Sequence, residues 1–292
     1  MRKEMSGSFC DDQLMRIKMA GKLIFLDIDG TLTEPGSNVP PESALTAVHA
    51  AQKAGHKVFL CTGRNPDMLA PLLKYGFDGF VGCGGGYVTC GDEVIYDMPM
   101  TDRQRDLALD ALHESGVFCT IEAKDGSFGD DDLGAFLAES EGGNSEIMRW
   151  RAALAGNLGI KSMKLYDGRP IYKVVFMCRQ AEQLEKAKAC LEEEFNFCVQ
   201  TITEPACLNG EMINRAFDKG RGILRLCEHL GMDVSDTFGF GDSMNDLEMI
   251  QTVGTSVVMA NGNEQLKAMA DYVTPSVTED GLYAAFEHFH LM

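Results

Sequence analysis

The chain of 292 residues has no uninterrupted apolar run of about 18 residues, the length a membrane-crossing helix needs. Its first stretch, Met1 to Ala20, is polar and mixed in charge, without the apolar segment and cleavage site of a secretory signal. It is expected to be a loosely ordered leader. Cations are scarce: 26 Lys and Arg stand against 44 Asp and Glu, a formal net charge of −18. That balance speaks against nucleic acid or an anionic membrane as partner, since both require a cationic face. Ten cysteines occur without one CxxC pair or a Cys/His spacing suited to a metal. Several, such as Cys61, Cys83 and Cys178, lie in apolar runs, as free thiols in a reducing compartment do, so a cytoplasmic protein is expected. A GxGxxG loop is also missing, which removes a dinucleotide-cofactor reading.

What is present is an ordinary globular composition, 45% hydrophobic and 24% charged, long enough for one domain with a sizeable insertion. Lys22–Ile28 is apolar on both faces, the pattern of a central parallel strand covered on each side. "PESALTAVHAAQKAG" then sets Ala44, Leu45, Val48 and Ala51 at helical spacing and stops at Gly55. "HKVFLCTGR" reads as a second strand, "PDMLAPLLKYG" as a short helix and "DGFVGCGGG" as a third strand. This β-α-β-α-β order is that of a doubly wound sheet. The rhythm changes near Gly91, where "DEVIYDMPM", "VFCTIEA", "YKVVFMC" and "FCVQTI" read as strands around two amphipathic helices. The acidic stretch from Asp125 to Asn144 reads as loop and short helix. From Asn209 the first rhythm resumes and runs to a closing helix, "EDGLYAAFEHFH". The expected architecture is α/β: a doubly wound, Rossmann-like parallel-sheet core over 21–90 and 206–292, an inserted α+β domain over 91–205, and the leader over 1–20.

The stretch "KLIFLDIDGTLT" carries the first chemical signal. Buried carboxylates cost several kcal/mol unless paired or bound to metal. Asp27 and Asp29 stand two apart, so in an extended strand both face the C-terminal edge of the sheet, where open α/β folds bind ligands. Gly30 permits a sharp turn there. Two carboxylates so close repel by roughly 4 kcal/mol at an effective dielectric near 20, and either a shared proton or a divalent cation relieves them. Mg²⁺ is the natural candidate, because it prefers oxygen ligands. Far along the chain, "FGFGDSMNDLEMI" sets Asp242 after an apolar strand, with Asn245 and Asp246 where a helix begins. Alone, these suit a helix cap; joined to the first motif, they make a second acidic strand end that can converge on one cation. In "FLCTGR", Thr62 and Gly63 offer a hydroxyl and an N–H to phosphoryl oxygens. Lys219, in "FDKGRG", opens a helix whose positive end adds to its ammonium.

Taken together, "LDIDGTLT", "CTGR", "DKG" and "GDSMND" resemble the four motifs of the haloacid dehalogenase superfamily. The large insertion between the second and third resembles its Cof-like branch of sugar-phosphate and small-metabolite phosphatases. The resemblance extends to "GEMINRAFDKGRGI" and "MANGNEQLKAMADYVTPSVTEDG". It implies a mechanism in which Asp27 attacks phosphorus and becomes an aspartyl-phosphate. Asp29 would protonate the leaving oxygen and then take a proton from water. Mg²⁺ would be held by Asp27, the backbone carbonyl of Asp29, and Asp242. Thr62, Gly63 and Lys219 would bind the phosphoryl oxygens, with Asn245 and Asn261 nearby, and Asp246 with Asn245 would orient Lys219 or metal-bound water. The insertion would be a cap that reads the leaving group of a small phosphorylated metabolite, a sugar phosphate foremost. One departure stands out: Gly84-Gly85-Gly86 follows the third strand where the family commonly has Asn-Gly-Ala. The rival enzymatic reading is a phosphomutase resembling the eukaryotic phosphomannomutases. A rival of another class is a receiver-like signalling module, disfavoured by chain length and by the acid at Asp29.

Overall fold

The computed structural model describes residues 21–138, 160–199 and 207–292. The leader at 1–20, the end of the acidic stretch at 139–144, the tail of "FCVQTI" at 200–202 and the expected boundary at 205–206 lie outside the described residues.

Among the described residues the strands form two sheets. The first contains β1 (Leu23–Leu26), β2 (Lys57–Cys61), β3 (Gly79–Gly82), β4 (Tyr87–Cys90), β5 (Glu93–Asp97), β12 (Thr237–Gly241), β13 (Thr255–Met259) and β14 (Tyr272–Thr274). Their order is β14-β13-β12-β1-β2-β3-β4-β5. From β14 to β3 the neighbours are parallel, and the last two pairings are antiparallel. The sequence "LIFL" of β1 is buried throughout because both faces are covered. Ile24 and Leu26 share a core with Ala44 and Val48 of α1 (Glu42–Lys53) and with Leu282 and Phe286 of α9 (Gly281–His288). Leu23 and Phe25 face the other way, into a core with Ile223 and Leu226 of α6 (Lys219–Leu230) and Met249 of α7 (Leu247–Thr252). The rings of Phe25 and Phe59 stack there at 5.5 Å.

The second sheet contains β6 (Phe118–Ala123), β7 (Gly126–Gly129), β8 (Ile160–Ser162), β9 (Ile171–Cys178), β10 (Phe195–Val199) and β11 (Leu208–Asn214), in the order β10-β11-β9-β6-β7-β8. Helices α3 (Asp102–Glu114) and α5 (Ala181–Leu191) bury Ala108, Leu112, Leu184 and Leu191 against Ile121 and Phe176. The strand β7 falls where a loop is expected. Its sequence "GSFG" has no readable alternation, and it is held by antiparallel pairing with β6 and by burial of Phe128.

The sheets change over later than the sequence rhythm suggests, at both ends. The glycine turn after β3 sends the chain back as β4, and β5 pairs with it, so Glu93–Asp97 extends the first sheet. Likewise β11 pairs with β9 and β10, so Leu208–Asn214 belongs to the second. No helix among the described residues is long and apolar enough to cross a membrane.

The two-faced burial of β1 makes a stability prediction. Phe25→Ala should cost about 3–5 kcal/mol in denaturant unfolding, whereas Leu224→Ala, at a position 46% exposed, should cost under about 0.5 kcal/mol. Equal losses would contradict the layering.

Candidate active site

The ends of β1, β2 and β12 and the start of α6 meet at one edge of the first sheet. Asp27 directly follows β1, where its N–H still bonds to Phe240 O at 2.9 Å, and it is 5% exposed. Lys219 opens α6, a start capped by the side chain of Asp218 on the Arg221 N–H. Its Nζ lies 2.7 Å from Asp27 Oδ1, 2.5 Å from Asp246 Oδ1 and 3.4 Å from Asn245 Oδ1. The second oxygen of Asp246 accepts the N–H groups of Asp242 (3.0 Å) and Ser243 (3.1 Å), so this buried carboxylate links the lysine to the loop after β12. The carboxylates of Asp27, Asp242 and Asp246 each bring an oxygen within 4.8 Å of the others. The approach is close enough to dictate Gly30: its φ is +94°, and a Cβ there would lie 2.3 Å from Asp242 Oδ2.

This crowding shifts the titrations. Burial, then the charge of Asp246, outweighs Lys219 and pushes Asp27 up to about 7. Burial, with Asp246 and Asp27, carries Asp242 well above the usual carboxylate range. Burial opposes the charge on Lys219, but Asp246 and Asp27 overcome it and hold the ammonium well above its ordinary value. Three carboxylates thus crowd together with one ammonium, which bonds to Asp27 and Asp246. The donor set is all oxygen and carries excess negative charge, which fits a hard divalent cation held by these acids.

Asp29 departs from the strand-based expectation. The chain leaves the extended conformation after Leu26, and Leu32 donates its N–H back to Asp27 O and Ile28 O, so period-two reasoning no longer applies. The Asp29 carboxylate accepts from Arg64 Nε (2.9 Å), Arg64 Nη2 (2.7 Å) and the Gly36 N–H (2.8 Å). The cluster that could hold a metal through side chains is therefore Asp27, Asp242 and Asp246. Asn261 is also placed differently: its Nδ2 donates to Gly30 O at 2.9 Å and its Oδ1 accepts from the Val277 N–H at 3.0 Å. Both ends of its amide brace backbone.

The Thr62 hydroxyl accepts the Arg64 N–H at 3.1 Å, which leaves its own proton to be donated onward. A cavity of about 300 Å³ opens beside it, lined by Gly63, Lys219 and Asn245 from the first sheet's loops and by Cys198, Glu211 and Ile213 from β10 and β11. Gly84 lies on its wall with φ +67°, and a Cβ there would meet only Ile213, at 3.6 Å. The asparagine common at this position would fit, since Asn tolerates left-handed backbone.

Three residues of the site escape the sequence reading: Arg64, Lys173 and Glu211. Arg64 stands beside Thr62-Gly63, but nothing local shows that it reaches Asp29. Lys173 has a signal, a lone charge in the strand β9 whose eight residues are all buried.

A sequence model of the haloacid dehalogenase-like hydrolases matches residues 24–286. The chain belongs to that family. Among haloacid dehalogenase-like relatives, "Putative phosphatase YkrA" of Bacillus subtilis (strain 168) is 32% identical over 275 residues, covering 94% of this chain and 100% of its own. The HMP-PP phosphatase of Yersinia pestis (strain Pestoides F) is 29% identical over 256 residues, covering 84% of this chain and 86% of its own. The solved HAD subclass IIB sugar phosphatase BT4131 superposes with a TM-score of 0.74 at 25% identity, covering 93% of this chain and 100% of that one. BT1666 of Bacteroides thetaiotaomicron shares the fold, with a TM-score of 0.76 at 21% identity and 99% coverage of each chain. The α/β class and the Cof-like resemblance expected from the motifs thus stand, and the chain is an enzyme of this hydrolase family.

The raised carboxylates set the sign of a pH effect. A carboxylate whose folded value lies above its unfolded one disfavours folding at high pH, and the penalty fades as pH falls through about 7 for Asp27. In chelator at pH 8, Asp242→Asn should therefore be more stable than wild type by about 1–3 kcal/mol. The gap should shrink by pH 5.5. Urea unfolding at both pH values checks this, and a gap independent of pH would contradict the crowding.

Proposed function

We propose that the chain is a Mg²⁺-dependent phosphatase of small phosphorylated metabolites, sugar phosphates foremost, acting through an aspartyl-phosphate on Asp27. The observation that carries this reading is a buried carboxylate at Asp27, fixed by Lys219 at 2.7 Å, within 4.8 Å of the oxygens of two further acids. Mg²⁺ held by Asp27, Asp242 and the backbone carbonyl of Asp29 would offset the repulsion between these acids and an incoming phosphate. An oxygen of Asp27 attacks phosphorus and the leaving oxygen departs, so one difficult displacement becomes two easier ones. Lys219, the Thr62 hydroxyl and the Gly63 N–H hold the phosphoryl oxygens while charge shifts. Asp29 gives its proton to the leaving oxygen and later takes one from water. Its ion pair with Arg64 favours the carboxylate form, the one suited to the second step; the first step needs a proton on Asp29.

The second sheet acts as the cap in this reading, closing the cavity from the side of β10 and β11. The cavity's charge favours a phosphatase over a phosphomutase. Its described lining contains Asp218 and Glu248, with Glu211 paired to Lys173, against a Lys219 already bonded to Asp27 and Asp246, so a second phosphate meets no free cation among the described lining residues. A receiver-like role has no use for such a cavity. Buried thiols such as Cys61, Cys83 and Cys178 accord with a reducing cytoplasm.

Asp27→Asn should lower phosphate release from p-nitrophenyl phosphate by at least about 10³-fold while the protein still folds and melts cooperatively. Chelator should silence the wild type and Mg²⁺ restore it. Full turnover in the variant would remove the nucleophile, and full activity in chelator would remove the metal.

A further inference from the structure

Lys173 joins the two sheets at the phosphate loop. It lies in β9, is 1% exposed, and in the same sheet stands opposite Glu122 of β6 and diagonal to Glu211 of β11. Its Nζ donates to Glu211 Oε1 at 2.6 Å and stands 3.3 Å from Glu122 Oε2. Both acids pair with it within the second sheet. A further bond leaves that sheet altogether: Nζ donates to the backbone oxygen of Gly63 at 2.8 Å. A Cβ on Gly63 would lie 3.1 Å from both Lys173 Nζ and Glu211 Oε2, tight contacts that would push the pair back by a few tenths of an ångström.

The Gly63 carbonyl belongs to the same planar peptide as the Arg64 N–H, and the two point in opposite directions. Holding one therefore aims the other. The Arg64 N–H donates to Thr62 Oγ1 at 3.1 Å, which occupies an acceptor site of the hydroxyl and turns its proton outward. From the same residue the Arg64 guanidinium reaches Asp29. One peptide thus lies between a cap lysine, the phosphate-facing hydroxyl and the acid–base carboxylate.

We propose that Lys173 is a positioning residue: by holding the Gly63 carbonyl it sets Thr62 as a donor to the phosphoryl oxygens while the second sheet is seated on the first. The proposal rests on the phosphatase reading above and deepens it. The loop reads the seating of the cap through its own backbone, whatever the leaving group. A substrate too small to touch the cap therefore still depends on Lys173.

The test compares Glu211→Gln with Lys173→Met/Glu211→Gln; Glu122 is retained in both, and the fold of each is verified by melting. On p-nitrophenyl phosphate the added lysine change should lower kcat roughly 30-fold and leave KM within about threefold. Amide exchange in the 61–65 segment should rise. In a Thr62→Val background the lysine change should cost less than about threefold, because its route to the substrate is already gone. A kcat within twofold of Glu211→Gln, or losses that simply multiply with Thr62→Val, would overturn the proposal. A wild type that turns over no aryl phosphate would instead overturn the phosphatase reading. Loop exchange then decides the clamp: raised exchange in the lysine variant supports it, and unchanged exchange overturns it.

Discussion

The site is organised around a shortage of positive charge. Lys219 is the ammonium that Asp27 and Asp246 share, while Asp242 stands in the same cluster with its own carboxylate pushed toward the protonated form. Buried like charges of this kind are tolerated only where the surroundings over-determine them. Here they do. Asp27 is fixed by the β1–β12 pairing, Asp246 by two backbone N–H groups, and Lys219 by the first turn of α6. Gly30 carries no side chain where Asp242 must approach. The arrangement costs folding energy; in the proposed mechanism it provides a place where a cation and a phosphate group neutralise one another.

A second constraint concerns the two sheets. The cavity is closed on one side by the strand ends of the first sheet and on the other by β10 and β11, so its chemistry and its shape come from different parts of the chain. Acids line its described wall, and Lys219 is already bonded to Asp27 and Asp246. The buried Lys173 bond to Gly63 ties the two contributions together in the proposed mechanism, since it joins the sheet that shapes the cavity to the loop that grips the phosphate.

The residues legible in the sequence are those whose signal is local. Asp27 and Asp242 each end an apolar strand, and Lys219 opens a helix, so the meeting of these residues was expected from the order of the motifs along one parallel sheet together with the family resemblance they carry. What was not legible depends on partners remote in sequence or on backbone that leaves its regular form. The Asp29 carboxylate turned to Arg64 because the strand stops at Leu26, one residue before the first acid. Asn261 reads as a phosphate ligand by position, yet its amide is used on Gly30 and Val277. The strand β7 has too few side chains to show a period, and the reversal from β3 to β4, which carries β5 into the first sheet, is set by a glycine turn whose direction no pattern reveals. Lys173 could have been noticed as a charge inside an apolar strand, but its contact with Gly63 spans 110 positions.

The central claim is that Asp27 itself takes the phosphoryl group. Rapid quenching during turnover, reduction with borohydride and peptide mass analysis test it directly, because an acyl phosphate is reduced to an alcohol and an ordinary carboxylate is not. The account predicts conversion to homoserine at position 27 and nowhere else. Reduction at another carboxylate, or none during rapid turnover, would contradict it.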